Sequence, residues 1–201
     1  MDENNEEILI QKAKQGNLQA FSLLIKMHQE RAARTAYSFV GNREDAYDIA
    51  QEAFVKAYEA LSKFKGGSKF STWLYRIIAN VSKDFLRKKN VRAHLWINPG
   101  RSEEDSMPDA VTSAPSPAPD ALYTLMSQEL GVAIQQAMEE LPFQQKSVFA
   151  LRYLEGLSLD EIAEALELTT GAVKAHLWQA GQKMKKSMSA FMPGQGASDG
   201  G

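Results

Sequence analysis

Cysteine is absent from the 201 residues, which excludes disulfides, thiolate metal sites and cysteine nucleophiles together and suits a reducing compartment. Histidine is scarce. His28, His94 and His176 stand far apart, with no spacing that pairs two ligands on one element, so no metal site is expected. Apolar runs long enough to span a bilayer are missing, and the acidic start MDENNEEILIQK lacks the basic and apolar segments of a signal peptide. A cytoplasmic protein without membrane insertion is predicted. Charge of one sign is not in excess either: 23 Lys and Arg against 25 Asp and Glu leave a net charge of -2. That argues against binding nucleic acid by bulk charge, so any basic surface must be local. No phosphate-cradling glycine loop and no nucleophile with a base at helical spacing is found, so neither an enzyme nor a bound cofactor is expected.

What is present reads almost entirely as helix, because apolar residues recur at three and four rather than at two. Glu7 to Gln15 predicts a short helix, and Asn17 an N-cap for a longer one that stops at Gly41-Asn42. A third runs from about Arg43 to Phe64 on the stripe Ala46, Ile49, Ala50, Ala53, Phe54, Ala57, Tyr58 and Leu61. A fourth begins near Ser71, a natural N-cap, and continues to about Lys89. From Asn98 to Asp120 the chain turns proline-rich and poor in large apolar residues, a composition that cannot bury a core and reads as a linker. Beyond it, Leu122 to Glu139 is helical, with Leu125, Leu130, Ile134 and Met138 as buried candidates. Leu141-Pro142 then leads into a helix ending near Gly156. Ser158 and Glu161 form a capping box, and Thr169 caps a last helix. The tail after Phe191 is expected to be disordered. The fold class is all-α, two small helical domains on a flexible linker: residues 6–92, a linker over 93–120, residues 121–188, and a tail over 189–201.

Three stretches can carry function. The fourth helix places Thr72, Arg76, Asn80, Lys83 and Arg87 on one stripe, with Lys63, Lys65 and Lys69 in the loop before it and Phe64, Phe70, Trp73 and Tyr75 interleaved. Cations tracking a phosphate backbone beside rings on which bases stack suit single-stranded nucleic acid. The same pattern also fits a solvated amphipathic helix whose aromatics are core. The third helix exposes Asp45, Asp48, Gln51, Glu52, Lys56 and Glu59, which suits docking against a basic protein partner or ordinary solvation. In the last two helices, Leu159, Ile162, Ala163 and Leu166 face Val173, Leu177, Ala180 and Met184 across a short turn, as in a helix-turn-helix or another helical hairpin. That arrangement presents Thr170, Gly171, Lys174, Ala175, Trp178 and Gln179 outward. The indole of Trp178 is either packed on a neighbouring domain or placed for apolar contact with a base or sugar.

The wording of these segments, "GNREDAYDIAQEAFVKAYEAL", "FSTWLYRIIANVSKDFLRKK", "LPFQQKSVFALRYLEGLSLDEIAEAL" and "TTGAVKAHL", closely resembles the extracytoplasmic-function group of bacterial sigma factors. The resemblance covers roughly residues 6 to 92 and 120 to 188. It implies docking of Asp48, Gln51, Glu52 and Phe54 on the clamp coiled coil of core RNA polymerase. It implies capture of the non-template strand of the promoter minus-ten element by Lys65, Ser68, Phe70, Trp73, Arg76, Asn80 and Lys83, some of them, Trp73 above all, supporting a pocket rather than touching DNA. A base drawn from the stack costs a few kcal/mol, which such a pocket must offset. It further implies major-groove reading of the minus-thirty-five element by Thr170, Gly171, Lys174, Ala175, His176, Trp178 and Gln179, and an anti-sigma factor as partner.

The sequence departs from that family's pattern where arginines are common: it has His176, Gln179 and Gly181. Fewer phosphate contacts predict a weaker reader with a shallower salt dependence. Tethering offsets this, since a flexible linker makes the second contact intramolecular at an effective concentration on the order of millimolar. By the same resemblance, Glu103, Glu104 and Asp105 in the linker thread the polymerase channel later taken by RNA. Two other readings are a stand-alone helix-turn-helix regulator, which leaves the acidic helix unexplained, and a sigma-mimicking interaction module, which the neutral recognition helix allows.

Overall fold

A computed structural model describes residues 3–97 and 121–189. The elements are α1 (Glu3–Lys14), α2 (Leu18–Val40), α3 (Arg43–Ala60), a 3-10 turn (Leu61–Lys63), α4 (Phe70–Ile97), α5 (Ala121–Glu139), α6 (Phe143–Tyr153), α7 (Leu159–Leu166) and α8 (Thr170–Ser187). No strand occurs among the described residues.

Local chemistry fixes most of the boundaries. Asn17 and Asn42 accept from the backbone N–H groups of Ala20 and Asp45, each at 3.0 Å, and so open α2 and α3. Gly41 ends α2 at φ 73°, where a side chain is disfavoured. Ser158 and Glu161 close a reciprocal capping box on α7, and Thr169 caps α8; each such cap contributes about 1 kcal/mol. Ser71 is not a cap, because α4 starts at Phe70 and takes Ser71 into its first turn. The same helix runs on to Ile97, past Lys89, since no Gly or Pro interrupts it before Pro99 and the residue ahead of a proline avoids the helical region. Residues 93–97 therefore belong to α4, while residues 98–120 and the tail from 190 lie outside the described residues.

In the first domain, α2 and α3 meet over Ala32, Ala36, Ala46, Ala50, Ala53 and Ala57, all buried. Small side chains at that seam allow a close helix approach, while Leu24, Phe39, Ile49, Leu61, Phe70, Leu74 and Ile78 fill the space toward α4. In the second, Met138, Leu141, Val148, Leu151, Ile162, Val173 and Ala180 pack α5 to α8 together. Three candidate positions depart from their stripes. Leu130 is exposed in the middle of α5, Tyr58 is partly exposed beside the ring of Phe21, and Thr72 is buried in the first turns of α4.

The two domains are not held apart. Helix α4 lies against α7 and α2 against α6, the rings of Phe39 and Phe143 meet edge-on at 5.8 Å, and the buried residues of both form one continuous cluster. Gly41 sits under α5 so closely that a β-carbon there would fall 2.9 Å from Oε1 of Glu139.

Candidate nucleic-acid interface

On the outer side of α2 and α3 an apolar groove of about 540 Å³ is lined by Leu18, Phe21, Ile25, Gln51, Phe54, Val55 and Tyr58. Leu18 is 64% and Val55 59% exposed, an open apolar surface rather than a buried one. Asp48, Gln51 and Glu52 stand exposed along the same helix, Glu52 with Lys56 at 3.2 Å, while Phe54 is buried and forms part of the groove lining. Asp45 leaves this acidic edge by pairing with Lys89 at 3.0 Å. An apolar trough with an acidic rim matches a helix that offers apolar anchors flanked by basic residues.

The cationic face of α4 separates into exposed and buried members. Lys65, Arg76, Asn80 and Lys83 are exposed and Ser68 is half-buried, with Arg76, Asn80 and Lys83 on one helical face. The interleaved aromatics are mostly core: Phe64, Phe70 and Tyr75 are buried and only Trp73 is half-exposed. Phe64, Phe70 and Trp73 form a ring triad with centroids 5.1 to 5.9 Å apart, worth roughly 0.5 to 1.5 kcal/mol per pair beyond burial. Lys14 of α1 donates to the carbonyl of Phe64 and lies over its ring. Phe70 as placed therefore shapes the loop from beneath, and Trp73 is the ring with an open side.

Carboxylates of the second domain reach this face. Glu155, in the turn after α6, accepts from Nε and Nη2 of Arg34 at 3.1 and 3.3 Å and from the Tyr75 hydroxyl at 2.9 Å. Its side chain is 1% exposed. Glu161 pairs with Lys69 at 3.0 Å, and Glu167 with Arg76. The hydrogen bond from Arg34 to Glu155, against the opposing cost of burial, raises the pKa of that guanidinium. Burial first, then the negative Glu155, pushes the Tyr75 phenol well up, so it stays protonated and donates. The Ser158 backbone N–H first, then Lys69, draws the Glu161 carboxyl down to about 2. Burial lowers the pKa of Lys146 on α6, against the raising effect of Glu139.

Helix α8 presents an open outward face. Gly171, Lys174, Ala175, Trp178 and Gln179 are exposed, Trp178 by 68%, so its indole is not packed on a neighbouring domain. Thr170 donates to Asp160 at 3.3 Å, and Gln179 accepts from Gln145 at 2.8 Å. His176 is half-buried, and its Nδ1 is enclosed without a hydrogen-bond partner among the described residues. The turn between α7 and α8 holds Glu167 at φ 55°, a left-handed conformation that costs a non-glycine residue about 1 kcal/mol. Lys183, Lys185 and Lys186 extend the exposed face toward the helix end.

Sequence reasoning grouped the cations of α4 and the outward face of α8, and the structure brings each set together. It missed Arg34, Tyr75 and Glu155 as one cluster, which no local spacing announces. It also missed Leu18 and Val55, whose signal was available: large apolar residues off the core stripe. Among the described residues no group of His, Asp and Glu is placed to hold a metal ion, and no helix is long and apolar enough to cross a membrane.

Comparison with known proteins finds that Sigma-70 region 2 matches residues 24–92 and Sigma-70, region 4 matches residues 131–184. The chain is 34% identical over 179 residues to the ECF RNA polymerase sigma factor SigW of Bacillus subtilis (strain 168), covering 89% of this chain and 94% of that one. It is 32% identical over 182 residues to the ECF RNA polymerase sigma-E factor of Escherichia coli (strain K12), covering 87% and 90%. Among solved structures, CnrH in complex with the cytosolic domain of CnrY is similar at a TM-score of 0.66 and 25% identity, covering 94% of this chain and 99% of that one.

Proposed function

Since the chain belongs to the extracytoplasmic-function (ECF) group of RNA polymerase sigma factors, we propose that it binds core RNA polymerase and directs initiation at promoters carrying its own minus-ten and minus-thirty-five elements. Residues 6–92, with the end of α4 to Ile97, act as the docking and strand-capturing domain, 98–120 as the connector, 121–188 as the reader of the upstream element, and 189–201 as a tail. Catalysis belongs to the polymerase, in the cytoplasm where transcription occurs.

The observation that carries this reading is the juxtaposition, on one small domain, of an acid-rimmed apolar groove and a cationic helix face. The groove takes the clamp coiled coil, with Asp48, Gln51 and Glu52 at its rim and Phe54 beneath. Lys65, Ser68, Arg76, Asn80 and Lys83 take the non-template strand, with Trp73 as the stacking ring and Phe70 as its support. On α8, Thr170, Gly171, Lys174, Ala175, Trp178 and Gln179 meet the major groove, and His176 supports that face from its half-buried position. An anti-sigma factor is the second partner, and the open apolar groove of α2 and α3 is a surface it can cover; the similar CnrH is itself in complex with the cytosolic domain of CnrY.

Run-off transcription tests the reading: core polymerase with genomic fragments, with and without the protein. New start sites sharing a pair of upstream elements are the expected result. Asp48→Arg with Glu52→Arg is expected to abolish core binding with the circular dichroism spectrum unchanged; retained affinity removes the docking role.

A further inference from the structure

Helix α1 reaches both ends of the loop that precedes α4. At one end, Lys14 donates to the carbonyl of Phe64 and holds its ammonium 5.5 Å from the centroid of that ring. At the other end, Glu6 accepts from Nε2 of His28 at 2.6 Å, and the imidazole so held stands 5.2 Å from the ring of Phe70. Lys14, Glu6 and His28 are all half-buried. Core packing does not require them, because Ile10 and Ala13 already bury α1 against the domain. The Sigma-70 region 2 match begins at residue 24, so α1 lies outside it.

Between those ends the loop has little to hold its shape. The backbone pattern breaks after the Phe64 N–H, which bonds Leu61, and resumes where the Trp73 N–H bonds Lys69; among the described residues, 65–68 make no backbone–backbone hydrogen bond. Lys65, Gly66 and Gly67 are exposed and Ser68 is half-buried, so no core side chain comes from this span, and the two glycines add backbone freedom. Its geometry is therefore set by Phe64 and Phe70, whose rings pack on Trp73 and on each other. Those two rings are the ones that α1 holds, Phe64 directly and Phe70 through His28.

Resting on the sigma-factor reading, we infer that Lys14 and Glu6 are positioning residues for minus-ten recognition: they set the loop so that Lys65, Ser68 and the open side of Trp73 meet the captured base together. Neither side chain touches the strand in this scheme. A loop placed a fraction of an ångström away still attracts phosphates, because Arg76 and Lys83 stay fixed on α4, but it separates the right base from the wrong one less well. Support from beneath thus acts on discrimination rather than on docking to polymerase.

The test uses the full chain with core polymerase at a promoter located by run-off transcription. Two duplexes are compared, the native one and one carrying the single minus-ten base-pair change that lowers opening most for the parent chain; permanganate oxidation of unpaired thymines reads opening. Lys14→Met keeps the aliphatic stem and removes the donor and the charge. Lys12→Met removes the same charge from an exposed position of the same helix. Lys14→Met is expected to lower opening of the native promoter about tenfold and of the changed one by less than about twofold, with core binding unaltered. Lys12→Met is expected to alter both by less than about twofold. Equal losses from Lys14→Met on the two duplexes overturn the inference, since a variant that is merely destabilised loses both alike.

Two further variants sharpen the result. Lys14→Arg keeps the charge and the donors and is expected to restore the preference for the native element. Glu6→Ala removes the acceptor at the other end of the loop and is expected to narrow that preference about threefold, the effect of one lost hydrogen bond. The outcomes also separate this inference from the reading beneath it. A parent chain that yields no starts removes the sigma-factor reading and with it the task given to the loop. Normal starts, with Lys14→Met indistinguishable from Lys12→Met, leave that reading standing and remove only the role of α1.

Discussion

Around Arg76 the approach from solvent is shared with carboxylates of the other domain, whereas Trp178 on α8 stands 68% exposed on a face whose only fixed charge between Thr169 and Gln182 is Lys174. The first surface is rich in cations and covered; the second is nearly neutral and open. A cationic face attracts any polyanion at long range, and covering it with fixed carboxylates suppresses that indiscriminate binding. A neutral helix attracts little at long range and needs no cover. In the proposed function its contacts are short-range ones, an indole and an amide against base edges and sugars, and they matter only once something else has brought it to the duplex.

The contrast breaks most plainly at the two aromatic positions. Phe70→Ala, in the buried ring triad beneath the cationic loop, is expected to cost about 3 to 5 kcal/mol in urea denaturation. Trp178→Ala is expected to stay within about 0.5 kcal/mol while weakening initiation from promoters that depend on the upstream element. A large stability loss at Trp178 reverses the assignment of open and covered. Next in size is the pH response of the covered face. The Glu161 carboxyl sits at about 2 when folded, below the roughly 4.3 of an unfolded glutamate. Its stabilisation is therefore full above about pH 4.3 and is lost as pH falls toward 2. Relative to Glu161→Gln, the parent chain is expected to lose its stability advantage across that window and to retain it from pH 5 to 7.

Smaller effects sharpen the comparison. Lys174→Ala should flatten the salt dependence of holoenzyme binding to a promoter fragment by about one unit of slope. A much larger change would mean that α8 leans on phosphates after all. Glu167→Gly removes both an exposed ion pair, worth about 0 to 1 kcal/mol, and a left-handed strain of about 1 kcal/mol. Thermal stability is expected to move by no more than a few degrees, and a marked fall would show that the Arg76 contact outweighs the strain.

What the sequence disclosed depended on the range of the interaction. Asn17, Ser158 with Glu161, and Thr169 were legible as caps because each bonds within three residues of itself, whereas Asn42, read only as part of a helix stop, also caps α3. The stripes of α3, α7 and α8 were legible from helical spacing, with Tyr58 as the exception on α3. Ser71 misled because a good cap residue serves equally well inside a first turn once the helix starts one position earlier. Phe64, Phe70 and Tyr75 were ambiguous for a physical reason: rings interleaved with cations look alike whether they face a base or a core. The Glu155 cluster was beyond reach. Its partners lie 121 and 80 residues away, and nothing in the segment LEGLSL distinguishes a glutamate that another domain encloses from one left in water.

The alanine seam between α2 and α3 bears on how fast a partner can leave. Methyl groups at Ala32, Ala36, Ala46, Ala50, Ala53 and Ala57 have no rotamers to lose and leave the two helices little room to slide. The groove above them is therefore preorganised, and a partner helix that enters it meets walls already in place rather than ones it must order. Binding of that kind shows its advantage chiefly as a slower off-rate. Enlarging a single methyl at the seam should shorten the residence time of a docked partner while leaving every residue that touches it unchanged.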